Sequence, residues 1–272
     1  MPTTARQLLN KVPEVTVYFW IIKVLCTTIG ETMSDNLMSA FAVGGDNATP
    51  DQLQIALYKV AAVTVVVLAI LLTIQFRLRR YTAVVYWANI VVISVLGTQI
   101  TDMFEGQGDQ PNNMVAITVV SVSLLAVVFL AWWLVERTLS MHSIRTRRRE
   151  AFYWLAILLT FALGTAAGDL ATEALGLGFN LGVVIFGTIL AALALAWRLG
   201  ANPVTTFWLA YIVTRPLGAS LGDLLSQARE YGGLGFGTAS TSLAFFAVIV
   251  ALVTSLSLVS GRPGEPAGQR RA

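Results

Sequence analysis

The sequence predicts an all-α polytopic membrane fold: eight transmembrane helices arranged as four tandem two-helix repeats around an axis along the membrane normal. Three observations predict it. The chain has 272 residues, of which 56% are hydrophobic and 12% charged, whereas a soluble domain carries about 25% charged residues. Eight apolar stretches can be drawn, roughly 15–40, 53–76, 82–104, 114–135, 151–174, 180–198, 203–226 and 238–260. Each supplies the ~20 residues an α-helix needs to cross the hydrocarbon. Finally, one spacing recurs four times.

Trp20, Trp87, Trp154 and Trp208 are each followed ten residues on by a glycine (Gly30, Gly97, Gly164, Gly218) and fifteen on by an aspartate (Asp35, Asp102, Asp169, Asp223). An aromatic precedes each tryptophan: Phe19, Tyr86, Tyr153 and Phe207. W-x9-G-x4-D held four times identifies copies of one unit, set 67, 67 and 54 residues apart. The expected organisation is a single membrane domain over 1–272. Its repeats fall at about 13–80, 81–148, 149–200 and 201–260, with a tail over 261–272.

The first stretch carries the repeat motif and lacks a short apolar region with a cleavage site, so it is expected to be a retained span. The odd stretches begin aliphatic and aromatic, then turn small and polar, as in Thr27-Thr28-Ile29-Gly30-Glu31-Thr32 and Gly164-Thr165-Ala166-Ala167-Gly168-Asp169. Small residues let helices approach closely, and hydroxyls hydrogen-bond across them. The even stretches, such as 60–74 and 114–134, are almost purely aliphatic and suit lipid. Odd helices are therefore expected inside, even ones outside. Two spans per repeat make successive repeats enter the membrane in the same direction, as in transporters built of parallel repeats. Acidic loops at Gly45-Asp46 and Gly108-Asp109, and Gly-Leu-Gly-Phe at 176–179 and 233–236, hint at a two-plus-two duplication.

Fourteen of the eighteen Lys and Arg fall on one side of this arrangement: Arg6, Lys11, Arg77, Arg79, Arg80, Arg137, Arg145, Arg147, Arg148, Arg149, Arg198, Arg262, Arg270 and Arg271. By the positive-inside rule both termini face the cytoplasm. The basic run 145–149 belongs to a short loop between spans, so no nucleic-acid partner is expected. Cys26 is the single cysteine, which leaves no intrachain disulfide and no Cys-rich metal site. His142, the single histidine, sits in the basic loop and receives no role.

The acids carry the functional expectation. Fifteen residues of helix span ~22 Å, so each tryptophan marks the cytoplasmic end of an odd helix and each aspartate lies in its outer half. Positions eleven and fifteen share a face, which pairs Glu31 with Asp35, Thr98 with Asp102, Thr165 with Asp169 and Ala219 with Asp223. Glu105 and Glu173 follow about one turn later. Four such helices around an axis make an oxygen-rich site of the kind hard cations prefer. The competing reading is that these acids are hydrated markers of helix ends. Aspartate at the same position in all four repeats argues against it, because a helix terminus accepts Asn, Ser or Gly equally well. Intramembrane acids are costly and point to an ion or proton path.

Two cations break the symmetry. Arg215, beside the helix-kinking Pro216, either pairs with a repeat acid or resets an emptied site, and the counter-ion reading is favoured, with Asp223 as the acid to test. Lys23 either snorkels to the cytoplasmic interface or pairs with Glu31. Met33, Met38 and Met103 lie near the first two acids. Thioether sulfur added to Asp35, Asp102, Asp169 and Asp223 tilts a metal site toward Mn²⁺, whereas methionine also serves as packing filler. The tryptophans read as interfacial anchors, or as aromatics closing the cytoplasmic end of a cavity. No nucleophile–base pair, phosphate loop or cofactor signature appears, so neither an enzyme nor a cofactor is expected.

The four two-span units, with Lys11-Val12-Pro13-Glu14-Val15-Thr16, Phe19-Trp20 and Gly30-Glu31-Thr32 in the first, resemble a bacterial membrane-protein family. That family has four tandem Trp-containing repeats, is catalogued as a repeat of unknown function and is loosely described as membrane-anchored. The resemblance covers about residues 13–260 and implies the architecture and an inner-membrane location, but no activity. The expected function is a cation transporter that exports a divalent metal or exchanges a cation for protons. A cation channel with an acidic ring and a non-transporting sensor or scaffold are the alternatives. The expected partners are a metal ion or proton and the lipid bilayer; the sequence sets no oligomeric state.

Overall fold

The computed structural model describes residues 10–44, 48–105 and 111–260. Arg6, Gly45, Asp46, Gly108, Asp109, Arg262, Arg270 and Arg271, which the sequence reading used, lie outside the described residues. Eight long helices appear where the apolar stretches predict them: α1 Val17–Phe41, α2 Pro50–Arg77, α3 Ala83–Glu105, α4 Pro111–Glu136, α5 Arg147–Asp169, α6 Gly178–Arg198, α7 Pro203–Ser226 and α8 Thr238–Ser260. Six of them are long and apolar enough to cross a membrane. The other two, α1 and α7, carry Lys23, Glu31 and Asp35, and Arg215 and Asp223, inside their lengths. The protein is thus a membrane-like helical bundle with internal repeats.

Local signals set the helix ends. Thr16 caps α1 by accepting from the Phe19 amide. Thr49 and Gln52 form a capping box with Pro50 in the first turn of α2. Thr146 caps α5, and Asn202 accepts two amides ahead of Pro203 in α7. Past Asp169, α5 runs into a π-turn over Leu170–Ala174. α7 continues as helix through Pro216 rather than ending there.

The odd helices close into a ring. α1 packs on α3, α3 on α5, α5 on α7 and α7 back on α1. Each even helix lies outside, against the odd helix of the next repeat: α2 on α3, α4 on α5, α6 on α7 and α8 on α1. The apolar windows of α2, α4, α6 and α8 are 33, 17, 6 and 22% buried, against 72 and 67% for α3 and α5. That contrast assigns the even helices to the periphery.

The recurring glycines are the joints. A Cβ at Gly30 would lie 1.9 Å from Ser94 Oγ, at Gly97 2.8 Å from Phe161 Cβ, at Gly164 2.4 Å from Arg215 Cβ and at Gly218 2.0 Å from Thr27 Oγ1. Each glycine therefore receives the same position of the next repeat, and the fourth receives the first. Glycine serves close approach here, which only a residue without a Cβ permits.

The aromatic pairs close the same circle. Phe19 meets Trp87 at 5.6 Å between centroids, Tyr86 meets Trp154 at 5.5 Å, Tyr153 meets Trp208 at 6.2 Å and Phe207 meets Trp20 at 5.7 Å. Trp87, Trp154 and Trp208 are buried and Trp20 is half-buried. This corrects the interfacial-anchor reading: the tryptophans and their preceding aromatics fill the interior of the ring at one end. The Tyr86 and Tyr153 hydroxyls join at 2.6 Å within that layer.

The same end is latched from the outside. Lys11 Nζ donates to Glu150 Oε2 at 2.6 Å, the Lys11 amide donates to the Ile144 carbonyl at 3.2 Å, and Gln75 donates to Glu150 Oε1 at 3.3 Å. The segment before α1 is thereby tied to the ends of α2 and α5. Of the basic residues that the sequence places on one side, Lys11, Arg77, Arg137, Arg149 and Arg198 all lie at this end.

Candidate functional site

The odd helices run in the same direction, so equal positions in the repeats stand at equal heights. At the end opposite the aromatic layer they enclose a cavity of about 240 Å³. All four repeat aspartates, Asp35, Asp102, Asp169 and Asp223, line it together with Glu31, Glu105 and Glu173. Asp169, Asp223, Glu31 and Glu105 are buried. Asp35 and Asp102 are half-buried and Glu173 is exposed, so the cavity reaches the surface. The starts of α2 and α4 complete the wall through Leu53, Gln54, Leu57 and Met114.

A cationic cluster lies beneath this wall. Arg215 is fully buried; its Nη2 donates to Glu31 Oε2 at 2.8 Å and to Thr98 Oγ1. Its Nη1 donates to the Thr27 carbonyl at 3.5 Å, and Thr98 donates weakly to Glu31 at 3.4 Å. Three helices, α1, α3 and α7, thus meet on one guanidinium. The expected counter-ion is a repeat acid, with Asp223 the nearest in sequence; the structure supplies Glu31 instead. Asp223 lies eight residues along the same helix, ~12 Å of rise away, whereas Glu31 faces Arg215 across the α7–α1 joint.

Lys23 adopts neither expected arrangement. It is fully buried, so it does not snorkel, and its Nζ has no hydrogen-bond partner, so it does not pair with Glu31. The ammonium lies 3.9 Å from the Phe161 ring centroid and 4.2 Å from that of Tyr211. Two ring faces can hold a desolvated cation through their quadrupoles. Lys23 is one turn past Trp20, so it sits between the aromatic layer and the carboxylates. Neither ring is part of the recurring Trp–Gly–Asp spacing: Phe161 stands at the joint position equivalent to Arg215, and Tyr211 at the position equivalent to Lys23 itself.

The metal expectation is corrected in part. The cavity wall draws its methionines from Met38 and Met114, not from Met33 and Met103. Met33 packs against the hydrophobic core, and Met103 is half-buried outside the lining. Among the described residues no group of three or more His, Cys, Asp or Glu stands close enough to hold a metal ion. The aspartates share a wall without forming a ligand cage. Thr165 is also placed apart, donating to the Phe161 carbonyl of its own helix.

Several buried polar atoms near this region have no hydrogen-bond partner among the described residues: both amide atoms of Gln99, and Oγ of Ser34, Ser220 and Ser226. Such groups cost free energy in an apolar interior. They extend the polar character of the site along the odd helices.

Comparison with protein families places this repeat pattern. The family described as Repeat of Unknown Function (DUF347) matches residues 18–81, 152–200 and 206–261. Those stretches hold the first, third and fourth copies of the Trp–Gly–Asp spacing. The second copy, with Trp87, Gly97 and Asp102, lies between matched stretches and takes the equivalent joint in the ring. No curated protein and no solved structure matches the chain.

Proposed function

The chain belongs to the DUF347 repeat family, whose description assigns no activity, and from its own geometry we propose that it is a membrane cation transporter. The observation that carries this reading is the cavity, in which one aspartate from every repeat and three glutamates share a wall. Carboxylates inside an apolar bundle are expensive and are kept where ions or protons pass, and their oxygens suit hard cations.

Two features bear on the kind of transport. The acidic cavity reaches one end only, and the interlocked aromatic layer fills the other, which favours alternating exposure over an open channel with an acidic ring. The carboxylates line the wall without a close ligand cage, which favours cation/proton exchange over capture of a dehydrated divalent metal. Aspartates in this position can take up protons when the cation leaves. A sensor or scaffold would need neither the acids nor the seal.

On this reading all eight helices span the bilayer, with the four repeats around an axis along its normal. The Lys/Arg-rich end faces the cytoplasm and the cavity faces outward, in a bacterial inner membrane. The cation or proton and the lipid are the partners; no cofactor takes part.

The test is flux through the purified protein in sealed vesicles holding a pH-sensitive dye. A gradient of Na⁺, K⁺ or Mn²⁺ should drive proton movement for at least one ion, and Asp102→Asn should abolish it with the protein still folded. Folded protein that moves none of these ions would place the chain among scaffolds.

A further inference from the structure

A second cavity, unconnected with the carboxylates, opens sideways at the Lys/Arg-rich end between α6 and α7. It measures about 890 Å³. Gly187, Ala191 and Ala194 of α6 form one wall, and Trp20, Phe207 and Ala210 lie opposite. The lining is apolar along its length and polar at the rim, where Arg198 and His142 stand.

Three observations say what would fill it. The groove follows α6 from Gly187 to Arg198, the last residue of the helix, which is ~16 Å of rise. That equals half of the ~30 Å hydrocarbon of a bilayer, the depth of a single leaflet. Arg198 is exposed and makes no hydrogen bond or ion pair among the described residues. Arg145, Arg147 and Arg148 are exposed on the neighbouring linker and the start of α5. The exposed Trp197, next to Arg198, belongs to the same lining, and amphipathic rings of this kind mark the headgroup region.

We propose that this groove binds one anionic phospholipid of the surrounding bilayer, its acyl chain along α6 and its phosphate at the Arg198 and His142 rim. Small side chains at 187, 191 and 194 leave the width of a chain, and the aromatic floor supplies contact area. A guanidinium at the mouth with no acidic partner among the described residues favours a headgroup of net negative charge over a zwitterionic one, whose own cation competes for the phosphate. The proposal does not depend on cation transport: a scaffold in the same membrane would hold the same lipid.

Native mass spectrometry of the full chain in mild detergent, titrated with phosphatidylglycerol or with phosphatidylcholine of the same acyl chains, tests it. One phosphatidylglycerol per chain should be retained, and phosphatidylcholine more weakly. Arg198→Gln should weaken phosphatidylglycerol retention about fivefold, the share of one basic residue near a headgroup, and narrow the difference between the lipids. Gly187→Leu should lower retention of both, because it fills the groove; the Cβ there meets nothing nearer than Leu217 Cδ1 at 4.0 Å, so the helix tolerates it. Equal retention of the two lipids by the wild type, or retention unchanged in both variants, overturns the proposal. A dimer that excludes lipid and dissociates in Gly187→Leu would overturn it too, by giving the groove to a second copy of the chain.

Discussion

Arg215 and Glu31 meet 2.8 Å apart at the joint where α7 closes on α1. The other three joints carry no such pair. At the positions equivalent to Arg215 stand Thr27, Ser94 and Phe161, and at those equivalent to Glu31 stand Thr98, Thr165 and Ala219. A ring built from one unit is therefore made unequal at one place, directly beneath a wall of carboxylates. One charge of each sign cancels there, and Thr98 and the Thr27 carbonyl satisfy further guanidinium protons.

Arg215→Gln leaves the Glu31 carboxylate buried without its cation and should destabilise the protein by about 3–5 kcal/mol. Glu31→Gln made in the same chain should recover a large part of that loss, because removing both members of a buried pair costs less than removing one. Thermal unfolding in detergent of both singles and the double gives the coupling. Asp223→Asn combined with Arg215→Gln should be close to additive. Coupling to Asp223 rather than to Glu31 would contradict the pairing.

Lys23→Met should leave thermal stability unchanged or raise it by about 1 kcal/mol or more, since a buried amine without a hydrogen-bond partner among the described residues is replaced by an apolar chain of similar length. The same change should alter cation flux in vesicles. A large drop in melting temperature would mean that the Phe161 and Tyr211 ring faces stabilise the Lys23 amino group more than its burial costs.

Gly218→Ala places a methyl 2.0 Å from Thr27 Oγ1 and 2.9 Å from the Thr28 amide nitrogen. Backbone cannot step aside as a side chain can, so the α7–α1 joint must open, at a cost of about 1–3 kcal/mol. Gly187→Ala, on the open face of α6, should instead be neutral or stabilising by about 0.5–1 kcal/mol. Equal melting temperatures for the two variants would show that the close approach at Gly218 does not matter for stability.

Reporter fusions near Asp109 and near Arg147 should lie on opposite sides of the membrane, with Arg147 in the cytoplasm. The reason is the gathering of Lys and Arg at the end of the bundle that holds the Lys11–Glu150 latch. Both reporters on one side would mean that α4 does not cross the membrane, which would put the third and fourth repeats in the opposite sense to the first two and break the equal heights of the aspartates.

The sequence by itself determined where the helices lie and which residues share a height. Helix rise is fixed, so an aspartate fifteen residues after each tryptophan, repeated in odd helices that run the same way, brings Asp35, Asp102, Asp169 and Asp223 to one end. Glycine at the tenth position foretold close approach for the same reason. Only the tertiary structure decided azimuth and partnership. Arg215 takes Glu31 across the α7–α1 joint rather than Asp223 on its own helix, because opposing side chains in a closed joint meet where two residues a dozen ångströms apart on one helix do not. Met33 and Met103 turn away from the cavity while Met38 and Met114 face it, a choice made by helix rotation that spacing along the chain does not encode. The tryptophans carry the same pattern whether they anchor at an interface or fill a ring. What buries Trp87, Trp154 and Trp208 is the packing of each odd helix on the next, which sets the aromatic before one tryptophan against the tryptophan of the following repeat.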